Sequence, residues 1–257
     1  MKEGQAAAPT PKRRSFAGKA KAEASASVRT YRWFPIVMAV FVTTLVISNI
    51  IAVKVVRLAG LFVPAAVILF PVAYIFGDIL TEVYGYSRAR QVIWTGFACN
   101  LLAVAAIWIA GLLPPAPFWS AAGFSTPESA QQAYQAILGF SPRLLAASFA
   151  AYLTGEFLNS FVLAKLKVKT EGRFLWVRTI SSTIVGEGAD SAVFISLAFW
   201  GIFPAGAMGS AILSQWLFKV TYETLATPLT YLVVNALKRA EQEDYYDRNT
   251  DFNPVAF

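Results

Sequence analysis

The sequence predicts an all-α membrane protein with six transmembrane helices and both termini in the cytoplasm. Of its 257 residues, 56% are hydrophobic and only 14% are charged, whereas a soluble domain usually has about 25% charged residues. The length allows about six or seven spans of roughly 20 residues with short connections. Lysine and arginine also concentrate in alternate connections. These three observations exclude an ordinary soluble enzyme.

Six apolar spans follow one another along the chain, each close to the length that crosses a bilayer as a helix. They are Trp33–Val53, Leu61–Tyr84, Gln91–Leu113, Leu144–Ala164, Ser181–Phe203 and Gly209–Leu237. The long connection between the third and fourth spans contains an amphipathic stretch, Pro127–Phe140. We expect this stretch to lie along the membrane surface as a short helix or plug.

Basic residues predict the orientation of the spans. Eight lysines and arginines precede the first span, and others follow the second, fourth and sixth spans. The opposite side carries only Lys54, Arg57 and Arg143, so the positive-inside rule places both termini in the cytoplasm. We interpret 1–32 as a basic disordered N-terminal tail, 33–237 as the transmembrane domain and 238–257 as a C-terminal cytoplasmic tail.

The residue inventory narrows the function classes. The chain has no histidine and a single cysteine, Cys99. This excludes His-ligated zinc sites and Ser–His pairs, and no internal disulfide can form. The net charge of +7 comes from the lysines and arginines that predict the orientation of the spans, so no nucleic-acid partner is expected. We predict no cofactor, no metal site and no catalytic residue.

Five carboxylates fall within the predicted spans, and Lys219 is the one fully embedded lysine. The five are Asp78, Glu156, Glu187, Asp190 and Glu223. Ionisable residues inside a membrane are costly and mark functional sites. Because five carboxylates cannot all stay ionised at low dielectric, some must be protonated, paired with a lysine or exposed to a water-filled cavity. An acidic cavity suits a cation or a ligand rich in N–H donors.

Two structural alternatives compete with these functional interpretations. Glu82, at the end of the second span, would form an ion pair with Arg88 or Arg90. Lys219 and Glu223, four residues apart, would neutralise each other along one helix face. Both alternatives are left open by the sequence.

Several motifs resemble one known family. The run Gly77-Asp78-x-x-Thr81-Glu82-Val83-Tyr84-Gly85, with Phe70-Pro71 and Tyr74 before it and Arg88-x-Arg90 after it, is similar to that of the queuosine precursor transporters, sometimes grouped as vitamin-uptake-type transporters. The stretch Ser48–Lys54 and the pair Glu187-x-x-Asp190 fit the same pattern. The resemblance covers roughly residues 35–235.

The resemblance implies a six-helix inner-membrane importer that works as a secondary carrier. Its substrates would be 7-deazaguanine compounds used to make the queuosine base of transfer RNA, such as 7-cyano-7-deazaguanine, 7-aminomethyl-7-deazaguanine or queuine. A deazaguanine presents a ring N–H beside an exocyclic amine, which one carboxylate can accept in bidentate fashion. Aromatic rings would stack on its face.

Combining the polar spans with the resemblance predicts two sets of site residues. Glu156, Glu187 or Asp190 would accept the base edge, with amides and aromatic rings around it. The substrate-binding set is Asn49, Phe70, Tyr74, Glu156, Asn159, Glu187, Asp190 and Phe194. The coupling or gating set is Asp78, Lys219 and Glu223, with Asp78 and Lys219 expected to pair.

Other functions remain open at this point. One is a substrate-binding subunit of an energy-coupling-factor-like transporter for another base or vitamin. A more remote one is an intramembrane aspartyl protease, whose Gly-x-Gly-Asp pattern Gly186–Asp190 misses by one residue. The expected partners are a small-molecule substrate and the lipid bilayer, and the sequence leaves a homo-oligomer open.

Overall fold

Helices dominate the computed structural model, which describes residues 30–58, 61–120, 123–139 and 142–256. The elements below belong to a compact unit that begins at Trp33. The helices are α1 (Phe34–Ile51), α2 (Phe70–Tyr84), α3 (Tyr86–Leu112), α4 (Pro127–Leu138), α5 (Pro142–Lys169), α6 (Leu175–Phe199) and α7 (Ala205–Glu241). Strands β1 (Val55–Leu58) and β2 (Leu61–Pro64) pair antiparallel between α1 and α2.

The start of the second predicted span is not helical. Residues Leu61–Pro64 form β2, a 3₁₀ turn covers Ala65–Ile68, and α2 begins only at Phe70. Valines in β1 and β2 favour extended backbone, and Pro71 sits in the first turn of α2, the position that proline tolerates best. At 1.5 Å per residue, the 15 residues of α2 span about 22 Å, less than the roughly 30 Å of a hydrocarbon core.

Length and apolar composition support a membrane protein. Among the described residues, three stretches are long and apolar enough to cross a bilayer: Phe34–Ile51, Tyr86–Leu112 and Pro127–Lys169. The last of these includes α5. Helices α6 and α7 carry the charged residues discussed below, and six spans remain a prediction.

Helices α2 and α3 are joined by a single residue, Gly85. Its φ of 83° lies in the left-handed region that glycine adopts without steric cost. Because α3 begins at Tyr86, Arg88 and Arg90 lie in its first turns and not in a loop. The predicted amphipathic helix is present as α4, capped by Thr126, and Tyr134 donates a hydrogen bond to the carbonyl of Ile107 in α3 at 3.0 Å.

The tightest helix pair is α5 with α6, which meet through two glycines. A Cβ added to Gly186 would lie 2.7 Å from Cβ of Asn159 and 2.9 Å from the carbonyl oxygen of Gly155. A Cβ added to Gly155 would lie 2.8 Å from Cβ of Asp190. Small residues at such crossings let two backbones approach closely, and here they bring polar residues of both helices to one side.

We therefore expect Gly186→Ala to lower stability by about 1–3 kcal/mol, because the added methyl group forces the two backbones apart. Thermal unfolding of the detergent-purified protein measures the effect. Gly206→Ala in α7 is the matched control, since a Cβ there meets nothing within 4 Å among the described residues. Equal unfolding temperatures for the two variants would contradict the close packing of α5 and α6.

Candidate functional site

A cavity of about 300 Å³ with several charged side chains in its wall lies between α1, α2, α5, α6 and α7. Its lining comes from the C-terminal halves of α1 and α6 and from the N-terminal halves or middle of α2, α5 and α7. All of these segments approach the same end of the helices. The volume is within the range of small-molecule sites, about 300–1,000 Å³.

Five of the eight predicted substrate-binding residues line this cavity. They are Asn49, Glu156, Glu187, Asp190 and Phe194. Lys219, predicted for coupling, lines it as well. Asn159 lies beside the cavity lining and donates from Nδ2 to Oδ1 of Asp78 at 3.2 Å. For Phe70 and Tyr74 the backbone lies in α2, but their side chains fall outside the described part of the structure.

Lys219 pairs with two carboxylates of α6. Its Nζ lies 2.7 Å from Oε2 of Glu187 and also contacts Oδ2 of Asp190. Neither predicted arrangement is formed: Lys219 bridges to α6, so it pairs neither with Asp78 nor with Glu223 among the described contacts. The physical reason is geometric, because two carboxylate oxygens of the facing helix, Oε2 of Glu187 and Oδ2 of Asp190, lie within ion-pair distance of the ammonium group.

Glu156 differs from Glu187 and Asp190 because no cation contacts it in the described structure. It lies on α5 where α2 comes close, and its Oε2 is 3.4 Å from the position of a Cβ on Gly77. A larger residue at 77 would therefore press on the carboxyl group. With Lys219 taken by Glu187 and Asp190, Glu156 presents a carboxyl group to the cavity that a ligand can use.

Asp78 and Glu223 form a second, buried carboxyl pair. Asp78 is 1% exposed and Glu223 is 5% exposed, and the two carboxyl groups are close neighbours. Two ionised carboxylates repel at close range, so a buried pair of this kind is suited to hold one proton between them. Asn159 also bonds Asp78, which fixes its orientation.

Four polar residues that line the cavity are absent from the site prediction: Ser48, Ser148, Tyr152 and Gln215. Ser48 on α1 lines the cavity, and its buried Oγ has no hydrogen-bond partner among the described residues. Tyr152 on α5 lines it too and donates its hydroxyl proton to the carbonyl of Ile93 at 3.0 Å. Helical spacing was the available signal, because Ser48 adjoins Asn49 and Tyr152 lies one turn before Glu156.

A cluster of five charges occupies the other end of the same helices. This Glu82 cluster consists of Glu82, Lys167, Arg178, Lys238 and Asp244. Oε1 of Glu82 accepts hydrogen bonds from Nη2 of Arg178 and Nζ of Lys238, both at 2.7 Å. Glu82 is 0% exposed and Arg178 is 1% exposed, so these are buried, charge-assisted bonds.

The predicted pairing of Glu82 with Arg88 or Arg90 is therefore wrong. Arg88 lies near Gln91 on its own helix, with Nη1 and Oε1 3.4 Å apart, and Arg90 donates to two carbonyl groups near the C-terminus. Both arginines lie in α3, beyond the sharp turn at Gly85. The turn directs α3 away from the end of α2, while α5, α6 and α7 bring their basic residues to Glu82.

Asp244 connects the Glu82 cluster to the C-terminal segment. Its Oδ1 lies 2.5 Å from Nζ of Lys167 and 2.8 Å from Nζ of Lys238. Burial raises the pKa of this carboxyl group, but the bonds with the two lysines outweigh burial and leave the pKa below its ordinary value. The stabilisation from Asp244 is thus fully present at neutral pH and is lost only when the pH falls through this lowered pKa.

Comparison of the sequence with known proteins identifies several relatives of this chain. A probable queuosine precursor transporter of Bacillus subtilis is 27% identical over 198 residues, which cover 77% of this chain and 82% of the relative. A probable queuosine precursor transporter of Haemophilus influenzae is 30% identical over 135 residues, 51% of this chain and 49% of the relative. The queuosine precursor transporter of Escherichia coli is 26% identical over 134 residues, 51% and 52% respectively. No solved structure matches this chain.

The model of the putative vitamin uptake transporter family matches residues 64–233, which is more than half of the chain. This range contains α2, α3, α5 and α6 and most of α7, and with them every carboxylate of the cavity. The relatives are all named as transporters, which excludes the protease alternative. The chain therefore belongs to the putative vitamin uptake transporter family, and it is a transporter and not an enzyme.

Proposed function

We propose that this protein is a multi-pass carrier of the inner, cytoplasmic membrane that imports 7-deazaguanine precursors of queuosine. Three relatives bear the name of queuosine precursor transporters, and the family resemblance of the Gly77–Gly85 run agrees with them. The excess of basic residues in alternate connections supports six spans with both termini in the cytoplasm.

The observation that carries the proposal is the state of the carboxyl groups in the cavity. Lys219 is paired with Glu187 and Asp190, whereas Glu156 lines the cavity without a described cation. A 7-deazaguanine ring offers an N–H and an exocyclic amine side by side, which suits one unengaged carboxylate. Phe194 supplies an aromatic face in the same cavity, and Ser48 supplies a hydroxyl group that has no partner among the described residues.

The proposal includes a division of roles among the predicted residues. Glu156 accepts the base edge, while Asn49 and Phe194 line the remaining faces of the cavity. The proposal also assigns stacking on the base to Phe70 and Tyr74, whose side chains lie outside the described part of the structure. Asp78 and Glu223, which are buried behind the cavity, couple uptake to protonation together with Lys219 on the facing wall.

Uptake by cells tests the proposal directly. A bacterial strain that makes no queuosine precursor and lacks its own transporter would express this chain and receive 7-cyano-7-deazaguanine in the medium. We expect queuosine to return to transfer RNA, measured by mass spectrometry of digested transfer RNA. An unchanged absence of queuosine with the protein present in the membrane, for this precursor, 7-aminomethyl-7-deazaguanine and queuine alike, would contradict the assignment.

Reconstitution separates a self-sufficient carrier from a substrate-binding subunit. The purified chain in liposomes should take up labelled precursor with no ATPase present. Binding without uptake, followed by uptake once an energy-coupling ATPase module is added, would instead establish the energy-coupling-factor-like alternative.

A further inference from the structure

The chain continues beyond α7 as an ordered segment that crosses the end of the helices opposite the cavity. We call residues 244–256 the C-terminal strap. The family model ends at residue 233, so the strap lies outside the part of the chain that the family defines. Its contacts therefore require an explanation of their own.

Two tyrosines of the strap fit against glycines at helix ends. A Cβ on Gly85, between α2 and α3, would lie 2.2 Å from the ring of Tyr245. A Cβ on Gly172, after α5, would lie 2.1 Å from the hydroxyl oxygen of Tyr246. Only glycine leaves room for either ring, so the strap covers both connections closely.

Polar contacts fasten the strap along α3. The backbone N–H of Tyr86 donates to both carboxylate oxygens of Asp247 at 3.1 Å. Arg90 donates from Nη1 to the carbonyl groups of Asp251 at 3.0 Å and Asn253 at 2.6 Å. The indole of Trp94 donates to the carbonyl of Pro254 at 2.8 Å.

The strap also closes over α5. Nζ of Lys165 lies 3.9 Å from the ring centroid of Phe252, which is a cation–π contact. The ring of Phe161 packs edge-to-face against Phe252, with the two ring centroids 5.3 Å apart. Lys167 links these contacts to the Glu82 cluster, because its Nζ donates to the backbone carbonyls of Glu82 and Tyr245 at 2.6 and 2.7 Å.

The Glu82 cluster and the strap together seal one end of the helices, while the cavity approaches the other. Buried ion pairs add little net stability, because desolvation offsets their attraction. Each charged group in the cluster can exchange its partner for water, so the cluster can adopt a closed and an open arrangement. A carrier needs two such arrangements, because its binding site must lose access to one side of the membrane when it gains access to the other.

Resting on the proposed carrier function, we propose that the C-terminal strap and the Glu82 cluster form the gate on the cytoplasmic side. In the closed state the strap fastens α2, α3, α5 and α7 together below the cavity. Release of Asp244 from Lys167 and Lys238 lets the helix ends separate and opens the cavity to the cytoplasm.

Thiol labelling tests the gate without any substrate. In the full chain with Cys99→Ser, Ser48→Cys places one reporter thiol in the cavity, and a membrane-impermeant maleimide is applied to the strap side of sealed inside-out vesicles. We compare the full chain with a chain ending at Arg248, which keeps Asp244, and one ending at Glu243, which loses it. Labelling should accelerate in that order, by about tenfold or more for the shorter chain.

A reversible disulfide between the strap and a helix end, here called the staple, tests the gate in a chain of full length. Val83→Cys with Tyr245→Cys, in the Cys99→Ser background, places two thiols on adjacent backbones, since the N–H of Tyr245 lies 3.4 Å from the carbonyl oxygen of Val83, and it leaves the positive φ of Gly85 to glycine. The oxidised protein should lose uptake in liposomes and regain it on reduction, because the strap cannot release. Substrate binding should be retained in both forms.

Three results would overturn the gate. The first is an equal labelling rate in the full chain and in either folded truncation. The second is labelling of the reporter only after detergent has dissolved the vesicles, which would mean that the cavity is reached from the lumen alone. The third is an oxidised protein that transports as fast as the reduced one. Failure of the proposed substrate is distinguishable, because the labelling result does not depend on any transported compound.

Discussion

Glu156→Gln is expected to weaken binding of 7-cyano-7-deazaguanine by about 10- to 150-fold. The amide keeps the size of the side chain but offers one acceptor oxygen instead of two, and it cannot form the charge-assisted hydrogen bond that an ionised carboxylate would form with the bound base, which is about 1.5–3 kcal/mol. Glu156 is the cavity carboxyl group without a described cation, so the substrate depends on it more than on Glu187 or Asp190. Equilibrium binding of labelled precursor to the purified protein measures the change.

Glu128→Gln is the matched control for this experiment. Glu128 lies in the first turn of α4 and is exposed, so binding should be unchanged. Glu156→Asp should give an intermediate loss because the carboxyl group is kept but withdrawn by one methylene. If Glu156→Gln bound the precursor with wild-type affinity and Glu187→Gln bound it much more weakly, the base would be recognised by Glu187 on α6 and not by Glu156.

Glu82→Gln is expected to destabilise the protein by about 3–5 kcal/mol. Removing one partner of a buried ion pair leaves uncompensated charge, and here Lys167 and Arg178, each 1% exposed, lose their shared anion. For a chain of this size the loss corresponds to a fall in unfolding temperature of about 6–20 °C. Thermal unfolding in detergent provides the measurement.

Glu171→Gln, an exposed carboxylate in the connection between α5 and α6, controls for the loss of one negative charge and should unfold at the wild-type temperature. Glu82→Leu combined with Arg178→Leu should recover part of the loss, because a well-packed apolar pair avoids desolvation. An unfolding temperature for Glu82→Gln within error of wild type would mean that the Glu82 cluster is hydrated rather than buried.

The sequence was informative where local periodicity determines the outcome. Three- and four-residue spacing placed Glu187, Asp190 and Phe194 on one face of a helix, and all three line one cavity. The spacing of Glu156 and Asn159 was less decisive, because Glu156 faces the cavity whereas Asn159 bonds Asp78. Two residues three apart diverge by about 60° around a helix, enough to face different neighbours.

The start of α2 shows where apolar composition is ambiguous. An apolar run of β-branched and bulky residues is compatible with strand or helix, and the hairpin of β1 and β2 takes up the first part of the predicted second span. The choice depends on cross-strand pairing between Val55–Leu58 and Leu61–Pro64. No single span contains that information.

The sequence by itself determined that this chain is an apolar, helical membrane transporter with an acidic interior, because composition and helical spacing are local properties. Only the tertiary structure decided the partners of each charge: Lys219 with Glu187 and Asp190, Glu82 with Arg178 and Lys238, and the strap with Gly85, Tyr86 and Arg90. Helix spacing fixes the face on which a side chain lies. Which neighbouring helix meets that face follows from close packing at glycines and turns far away in sequence.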